Sequence, residues 1–140
     1  MSSEVTNVNE RKVVLPTWLD TLIFNDLSAN YCRQNKDMVV LEWNFDDIKK
    51  YLGTYFPRSY AESFCIFSNF FSKEKYVYEN CQELSIFDFG CGTGGELIGF
   101  IIAVTKQLPN IKKITISALD GNSYALKCLE CILEKTAQVL

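Results

Sequence analysis

The sequence contains no histidine, only three prolines and no long apolar run. Without histidine the chain cannot build a Ser-His-Asp triad, and it lacks the commonest general base of enzymes. The longest apolar run, LIGFIIAV, is too short to span a bilayer, so we expect no membrane partner. The N-terminal stretch MSSEVTNVNERKVV lacks the apolar segment of a secretory signal. We therefore expect a cytoplasmic protein.

The formal net charge of −3 gives no general attraction to nucleic acid. The six cysteines, without a secretory signal, predict reduced thiols rather than disulfides. Cys128 and Cys131 form a C-x-x-C pair inside a helical pattern, where they would share one helix face. No second pair stands at zinc-ligand spacing, so we interpret both cysteines as structural and predict no metal site.

Composition divides the 140 residues into three segments of one domain. Residues 1–16 are polar and predict a flexible lead-in. Residues 17–80 carry helical patterns and predict an N-terminal helical region. Residues 81–140 alternate strand and helix patterns around a glycine-rich stretch, and this combination predicts a partial cofactor-binding unit.

Three helices are predicted in the N-terminal region. Thr17 would cap the first, and a second should follow Asn44. Ser59 and Glu62 are spaced as a capping box two residues after Pro57, which predicts the start of a third helix. The apolar stripe of the first helix is Trp18, Leu19, Leu22, Ile23 and Leu27. The inner face of the second is Phe45, Ile48, Tyr51 and Leu52. The aromatic residues of the third, interpreted as core rather than as a platform for stacked bases, are Tyr60, Phe64, Phe67 and Phe71.

From Leu84 the pattern changes to strand, helix, strand, helix. LSIFDF is a short apolar run rich in β-forming residues and predicts a buried strand. GELIGFIIAVTKQL predicts a helix covered on more than one side, KKITISAL a second strand, and a last helix begins near Asn122. A strand–helix–strand unit implies parallel strands with a right-handed crossover and a ligand site at their carboxyl ends.

A glycine-rich stretch, DFGCGTGG, lies at the turn between the first strand and its helix. Gly90, Gly92 and Gly95 satisfy the G-x-G-x-x-G pattern of dinucleotide-binding folds, which alone is a weak signal. The fuller pattern adds Asp88 before the loop and Gly94 within it. An acidic residue followed by G-x-G-x-G resembles motif I of the class I S-adenosylmethionine-dependent methyltransferases.

The resemblance covers about residues 59 to 135 and implies S-adenosylmethionine as the cofactor. It implies that the loop glycines pack against the methionine and ribose parts, and that Asp88 helps hold the loop and reaches the cofactor's amino group. Asp120, at the end of the second strand, would accept hydrogen bonds from both ribose hydroxyls, a role that suits a fixed carboxylate. The residues expected to bind the cofactor are Asp88, Gly90, Cys91, Gly92, Gly94, Asp120 and Gly121. No catalytic residue is assigned.

Two departures from the family pattern matter. The distance from Gly94 to Asp120 exceeds the usual spacing of about 20 residues. A class I methyltransferase has about seven strands, whereas this sequence predicts two. We therefore expect an α/β chain with an N-terminal helical region followed by a truncated Rossmann-like β-α-β-α unit. The free edge of its first strand predicts self-association or a complementing chain.

Three functions remain open from the sequence. The first is the S-adenosylmethionine-binding part of a methyltransferase, incomplete for catalysis on its own. The second is an NAD-binding Rossmann fragment. The third is a non-catalytic interaction module derived from a methyltransferase. The methyl acceptor cannot be inferred, because no residue pattern specifies it.

Overall fold

The computed structural model describes residues 7–9, 12–33 and 44–140 of a mixed α/β fold. The elements in chain order are β1 (Asn7–Asn9), β2 (Lys12–Val14), α1 (Thr17–Thr21), a π-helical turn (Leu22–Asp26), α2 (Phe45–Lys73), α3 (Lys75–Tyr78), β3 (Glu83–Phe89), α4 (Gly95–Gln107), β4 (Lys113–Leu119) and α5 (Ser123–Val139). Parts of the predicted lead-in, residues 1–6, 10 and 11, lie outside the described residues. So do residues 34–43 of the predicted helical region.

The N-terminal segment contains a short hairpin that the sequence analysis did not predict. Strands β1 and β2 pair antiparallel, and Leu15 just beyond them is buried. Helix α1 begins at Thr17, but Pro16 occupies the N-cap and no side chain caps the helix. The predicted cap at Thr17 is therefore wrong. Most of the predicted apolar stripe is in the core, with Trp18 and Leu27 half-buried.

Helix α2 is continuous over 29 residues, so the predicted break into a second and a third helix is wrong. The capping box lies at Asn44, whose Oδ1 accepts a hydrogen bond from the Asp47 N–H at 3.0 Å. The carboxylate of Asp47 in turn accepts one from the Asn44 N–H at 3.2 Å. Pro57 lies inside the helix and removes one backbone donor there.

The aromatic side chains of α2 form much of the core, as predicted. Tyr60, Phe64 and Phe71 are buried, and the half-buried ring of Phe67 meets Phe100 edge to face at 4.7 Å between centroids. Phe45 and Phe70 are exceptions on this helix, because they are 43% and 45% exposed. The aromatic rings therefore pack against α4 rather than forming an exposed surface for stacked bases.

Helices α2 and α4 approach each other closely at two glycines of α4. A Cβ added at Gly95 would lie 2.8 Å from the Phe56 carbonyl oxygen, and one at Gly99 would lie 2.6 Å from the Tyr60 carbonyl oxygen. Both distances are too short for a real side chain. Gly95, the last glycine of the G-x-G-x-x-G pattern, is therefore required for helix packing.

Strands β3 and β4 form a parallel two-stranded sheet, as predicted, with a register running from Glu83↔Lys113 to Phe89↔Leu119. The prediction that β3 is buried is wrong, because alternate residues along it are exposed. Phe87 and Phe89 are 69% and 77% exposed. The helices cover one face of the sheet, and the apolar composition of β3 does not reflect burial on both faces.

One hydrophobic core joins the predicted helical region to the predicted cofactor-binding unit. It contains Leu19 and Ile23 from the first helical stretch, Leu52 from α2, Ile98 from α4 and Ile132 from α5. The described ranges contain no helix of the length and apolarity needed to cross a membrane.

Candidate functional site

The glycine loop joins the end of β3 to the start of α4, where the sequence placed it. Gly90, Gly92 and Gly94 have φ values of 73°, 55° and 90°. These values lie in the left-handed region, which glycine adopts at little cost and other residues rarely adopt. Gly94 is the N-cap of α4. The loop conformation therefore depends on these three glycines.

The surroundings of the three glycines differ. A Cβ at Gly94 would overlap Leu129, and one at Gly92 would lie 2.8 Å from the Tyr51 hydroxyl oxygen. A Cβ at Gly90 would have no neighbour within 4 Å. Gly94 is thus needed for packing, whereas Gly90 leaves open space at the surface that a ligand could use. Gly121 also has open space around its Cβ position and is exposed.

Asp120 fastens the glycine loop to the end of β4. Its Oδ2 accepts a hydrogen bond from the Gly92 N–H at 2.9 Å, and its Oδ1 accepts one from the Asn122 N–H at 2.8 Å. The Leu119 carbonyl oxygen accepts two more, from the N–H groups of Gly90 and Cys91, at 2.6 and 3.1 Å. The ends of β3 and β4 are therefore joined into one preformed surface.

Asp88 does not hold the loop by a hydrogen bond to any described residue, contrary to the role that the resemblance implied. Asp120 holds it instead. Burial raises the pKa of the Asp88 carboxyl, and the nearby charge of Asp120 raises it further. Asp88 is thus a partly buried carboxyl without a protein donor in the described part of the chain.

Cys91 lies beside these two carboxylates. Burial, followed by the charges of Asp88 and Asp120, raises the pKa of its thiol to about 11. Its sulfur contacts the Gly92 carbonyl oxygen at 3.7 Å. A thiol with this pKa is protonated at neutral pH, so Cys91 can line the site but is a poor nucleophile.

Residues from α2 cover the loop, and the sequence analysis did not assign them to the site. Tyr51, Tyr55 and Ser59 line a cavity of about 90 Å³ together with the loop and Glu96. Burial raises the pKa of the Tyr51 hydroxyl, and the charges of Asp120 and Glu96 add to the effect. Tyr51 fits an apolar helix face, so no local signal distinguished it from a core residue.

A larger cavity of about 390 Å³ lies beside β3, between that strand, α2 and α4. Its polar lining includes Glu62, Asp88 and Glu96, and its apolar wall includes Phe67 and Phe100. Glu96 lines both cavities, and Asp88, two residues before Gly90, lines the larger one. No lysine or arginine is among the described residues that line either cavity.

The N-terminus of α4 adds hydrogen-bond donors to the site. The first N–H groups of a helix have no partner within the helix, and no side chain caps α4 at Gly94. Its neighbours are nevertheless acidic, with Glu96 in the first turn and Asp88 and Asp120 nearby. The arrangement suits a ligand that has an acceptor group at one point and a positive charge at another.

The C-x-x-C pair lies on α5 without forming a site. Cys128 is buried in the core, whereas Cys131, three residues later on the same helix, is exposed. The described residues contain no group of three or more histidine, cysteine, aspartate or glutamate side chains that could hold a metal ion.

Comparison with known proteins adds no assignment to this geometry. No protein-family model matches the chain, and neither the curated proteins nor the solved structures yield a match.

Proposed function

We propose that the chain is the S-adenosylmethionine-binding portion of a methyltransferase, built on a Rossmann-like unit and incomplete for catalysis on its own. One observation carries the proposal: the Asp120 carboxylate binds the Gly92 N–H at 2.9 Å. This bond sets the acid that follows β4 beside the glycine loop that follows β3. Because the glycine loop and Asp120 lie side by side, they can contact two parts of one ligand.

Three groups would hold different parts of the cofactor. Asp120 has lone pairs remaining after its two backbone hydrogen bonds, and these can accept the ribose hydroxyls. The N–H groups at the start of α4 can bind the methionine carboxylate. Asp88, which has no donor among the described residues, can accept the ammonium group. When bound, S-adenosylmethionine supplies an electrophilic methyl group on a sulfonium.

Charge favours this cofactor over NAD. The pyrophosphate of NAD is anionic, and three carboxylates lie near the loop, those of Asp88, Glu96 and Asp120. The described cavity linings include no basic side chain to offset them. A sulfonium and an ammonium gain from the same field that repels a pyrophosphate.

The size of the site supports the view that it is incomplete. Cavities for ligands of this size usually enclose about 300–1,000 Å³. The cavity at the glycine loop has about 90 Å³, so the cofactor would extend beyond it over the exposed Gly90 and Gly121. We therefore expect modest affinity.

Calorimetric titration with S-adenosylmethionine, S-adenosylhomocysteine and NAD tests the proposal. We expect heat with the first two ligands and none with NAD. Asp120→Ala should weaken binding by about 1–3 kcal/mol, because charge-assisted hydrogen bonds are lost. Asp120→Asn keeps an acceptor for the loop and should lose less. Asp26→Ala, which removes an exposed carboxylate from the π-helical turn, is the matched control.

The remaining outcomes separate the alternatives. Binding of NAD alone would assign the chain to nicotinamide-dependent folds. Binding of none of the three, by a chain whose circular dichroism and thermal transition are those of a folded protein, would favour a non-catalytic interaction module.

A further inference from the structure

The face of the β3–β4 sheet that points away from the helices is not covered by the part of the chain that the structure describes. Every outward residue along both strands is exposed. Three of these are large and apolar: Phe87, Phe89 and Leu119, which are 69%, 77% and 52% exposed. Adjacent apolar side chains with this exposure mark an interaction surface more often than scattered single ones do.

The two ends of this face differ in chemistry. At the carboxyl end of the strands, the register sets Phe89 beside Leu119. At the amino end, it sets Glu83 beside Lys113. Small hydroxyl residues occupy most of the middle, so the face changes from charged to apolar along its length.

We propose that this face binds the same face of a second copy of the chain. The two copies would be related by a two-fold axis that runs parallel to the strands, between the sheets. This axis keeps the strand direction and sets β3 of one copy over β4 of the other. Glu83 then faces Lys113 of the partner subunit, and Phe89 faces Leu119 of the partner subunit.

Charge complementarity favours this arrangement. The four side chains at the amino end alternate in sign, both within each sheet and between the sheets. The alternative axis, perpendicular to the strands in the plane between the sheets, would place Glu83 over the partner's Phe89. A charged group would then lose water to an apolar neighbour without gaining a counter-ion. In a two-fold interface residue i of one copy contacts residue j of the other and j contacts i, so the parallel axis forms the pairing of Glu83 with Lys113 twice.

The small area predicts weak association. Seven residues per strand, at about 3.3 Å each, and two strands about 4.8 Å apart give a face of roughly 23 by 10 Å. A stable interface buries about 800 Å² on each partner, several times this area. We therefore expect a reversible dimer that forms at high protein concentration.

Sedimentation equilibrium of charge-reversed variants tests the proposal, over about 10 µM to 1 mM because the interface is small. Glu83→Lys makes all four charges at the amino end positive, and Lys113→Glu makes all four negative. Each variant alone should dimerise about tenfold more weakly than the parent. An equimolar mixture of the two should recover dimerisation, because every charge then faces its opposite across the interface. The double variant should also behave as the parent does.

The mixture separates an effect on the interface from an effect on the fold. Glu83 and Lys113 are also neighbours within one sheet, so each single variant carries a like-charge pair internally. Mixing cannot relieve that internal repulsion, and recovery on mixing therefore reports contact between copies.

Phe89→Ser tests the apolar end, and we expect it to abolish dimerisation without lowering the thermal midpoint of the monomer. Tyr31→Ser, at a ring that is 69% exposed near α2, is the matched control and should leave association unchanged. A chain that stays monomeric at about 1 mM overturns the proposal. So does a dimer that ignores the charge reversals, since pairing through the free edge of β3 would give that result.

Discussion

Two carboxylates at the candidate site show that the position of a residue relative to the end of its strand decides the role of its side chain. Asp120 follows its strand and accepts two backbone N–H groups, which fixes the loop. Asp88 lies within its strand, one residue before the end, and accepts none from the described residues. Its side chain remains available to a ligand, and its raised pKa reflects a charge that burial and Asp120 disfavour.

Asp88→Asn should stabilise the free protein at pH 7. The carboxyl pKa of Asp88 is raised in the folded state above 3.8, so folding favours its protonated form. The folded state then holds more protons than the unfolded state between the two pKa values, and stability falls as pH rises through that window. The variant removes this penalty. Its thermal midpoint should exceed that of the parent at pH 7, and the difference should disappear as pH falls below 3.8.

The matched control for this prediction is Asp26→Asn, which removes an exposed carboxylate from the π-helical turn and so reports the effect of losing one negative charge elsewhere on the protein. Equal midpoints of Asp88→Asn and the parent across the pH range would show that the Asp88 carboxylate is not destabilised by its surroundings.

For single residues, the sequence predicts those site positions that a local pattern specifies. The loop glycines and Asp88 follow from one short pattern, and Asp120 follows from its place after a strand. Tyr51 could not be predicted, because its contact with Gly92 depends on how α2 lies across the loop. That Asp120 rather than Asp88 holds the loop likewise depends on a contact between residues 28 positions apart.

At the level of elements, α2 shows a local signal overridden by packing. Ser59 and Glu62 have the spacing of a capping box, and Pro57 precedes them, yet the helix continues through both. Buried residues on each side of the proline, Phe56 and Tyr60, pack against α4. The burial of this continuous face outweighs one lost backbone hydrogen bond.

Pro57→Ala should therefore stabilise the protein. Alanine restores the missing N–H and has a helix propensity about 3 kcal/mol more favourable than proline. Greater freedom of the unfolded chain offsets part of this gain. We therefore expect the free energy of unfolding, measured with urea, to rise by about 1–3 kcal/mol. Asn69→Ala, at an exposed position of the same helix, should gain only about 0.5 kcal/mol. A loss of stability in Pro57→Ala would mean that contacts of the proline ring stabilise the protein by more than the restored hydrogen bond and helix propensity do.

For strand β3, the sequence predicts the element itself but not how much of it is buried. Its existence, its parallel partner and the helix after it follow from the apolar pattern and the glycines. Its burial does not, because a run of apolar residues looks the same whether one face or both are covered. Which faces are covered depends on elements elsewhere in the fold, and here all described helices that pack on the sheet do so from one side.

For the whole molecule, the open site limits chemistry more than binding. The cavity over the glycine loop is about 90 Å³, and Gly90 and Gly121 are exposed. Methyl transfer needs the nucleophile held in line with the sulfonium and water kept out. The described residues do not enclose the space in which a nucleophile would meet the sulfonium.

The 140-residue chain should therefore bind S-adenosylmethionine without transferring its methyl group. The measurement is release of S-adenosylhomocysteine in the presence of mixed RNA, protein and small-molecule acceptors. We expect no turnover above the rate of the Asp120→Ala variant. Turnover well above that rate would show that these residues alone form a complete active site.

The close packing of α2 on α4 has a consequence for synthesis on the ribosome. Helix α2 is complete at Lys73, but the glycines that receive its aromatic face belong to a helix that ends at Gln107. At a translation rate of about 5–20 residues per second, roughly two to seven seconds separate the synthesis of Lys73 from that of Gln107. Through that interval the part of α2 that packs on α4 lacks its partner, so the nascent chain presents a binding site for chaperones that the finished protein conceals.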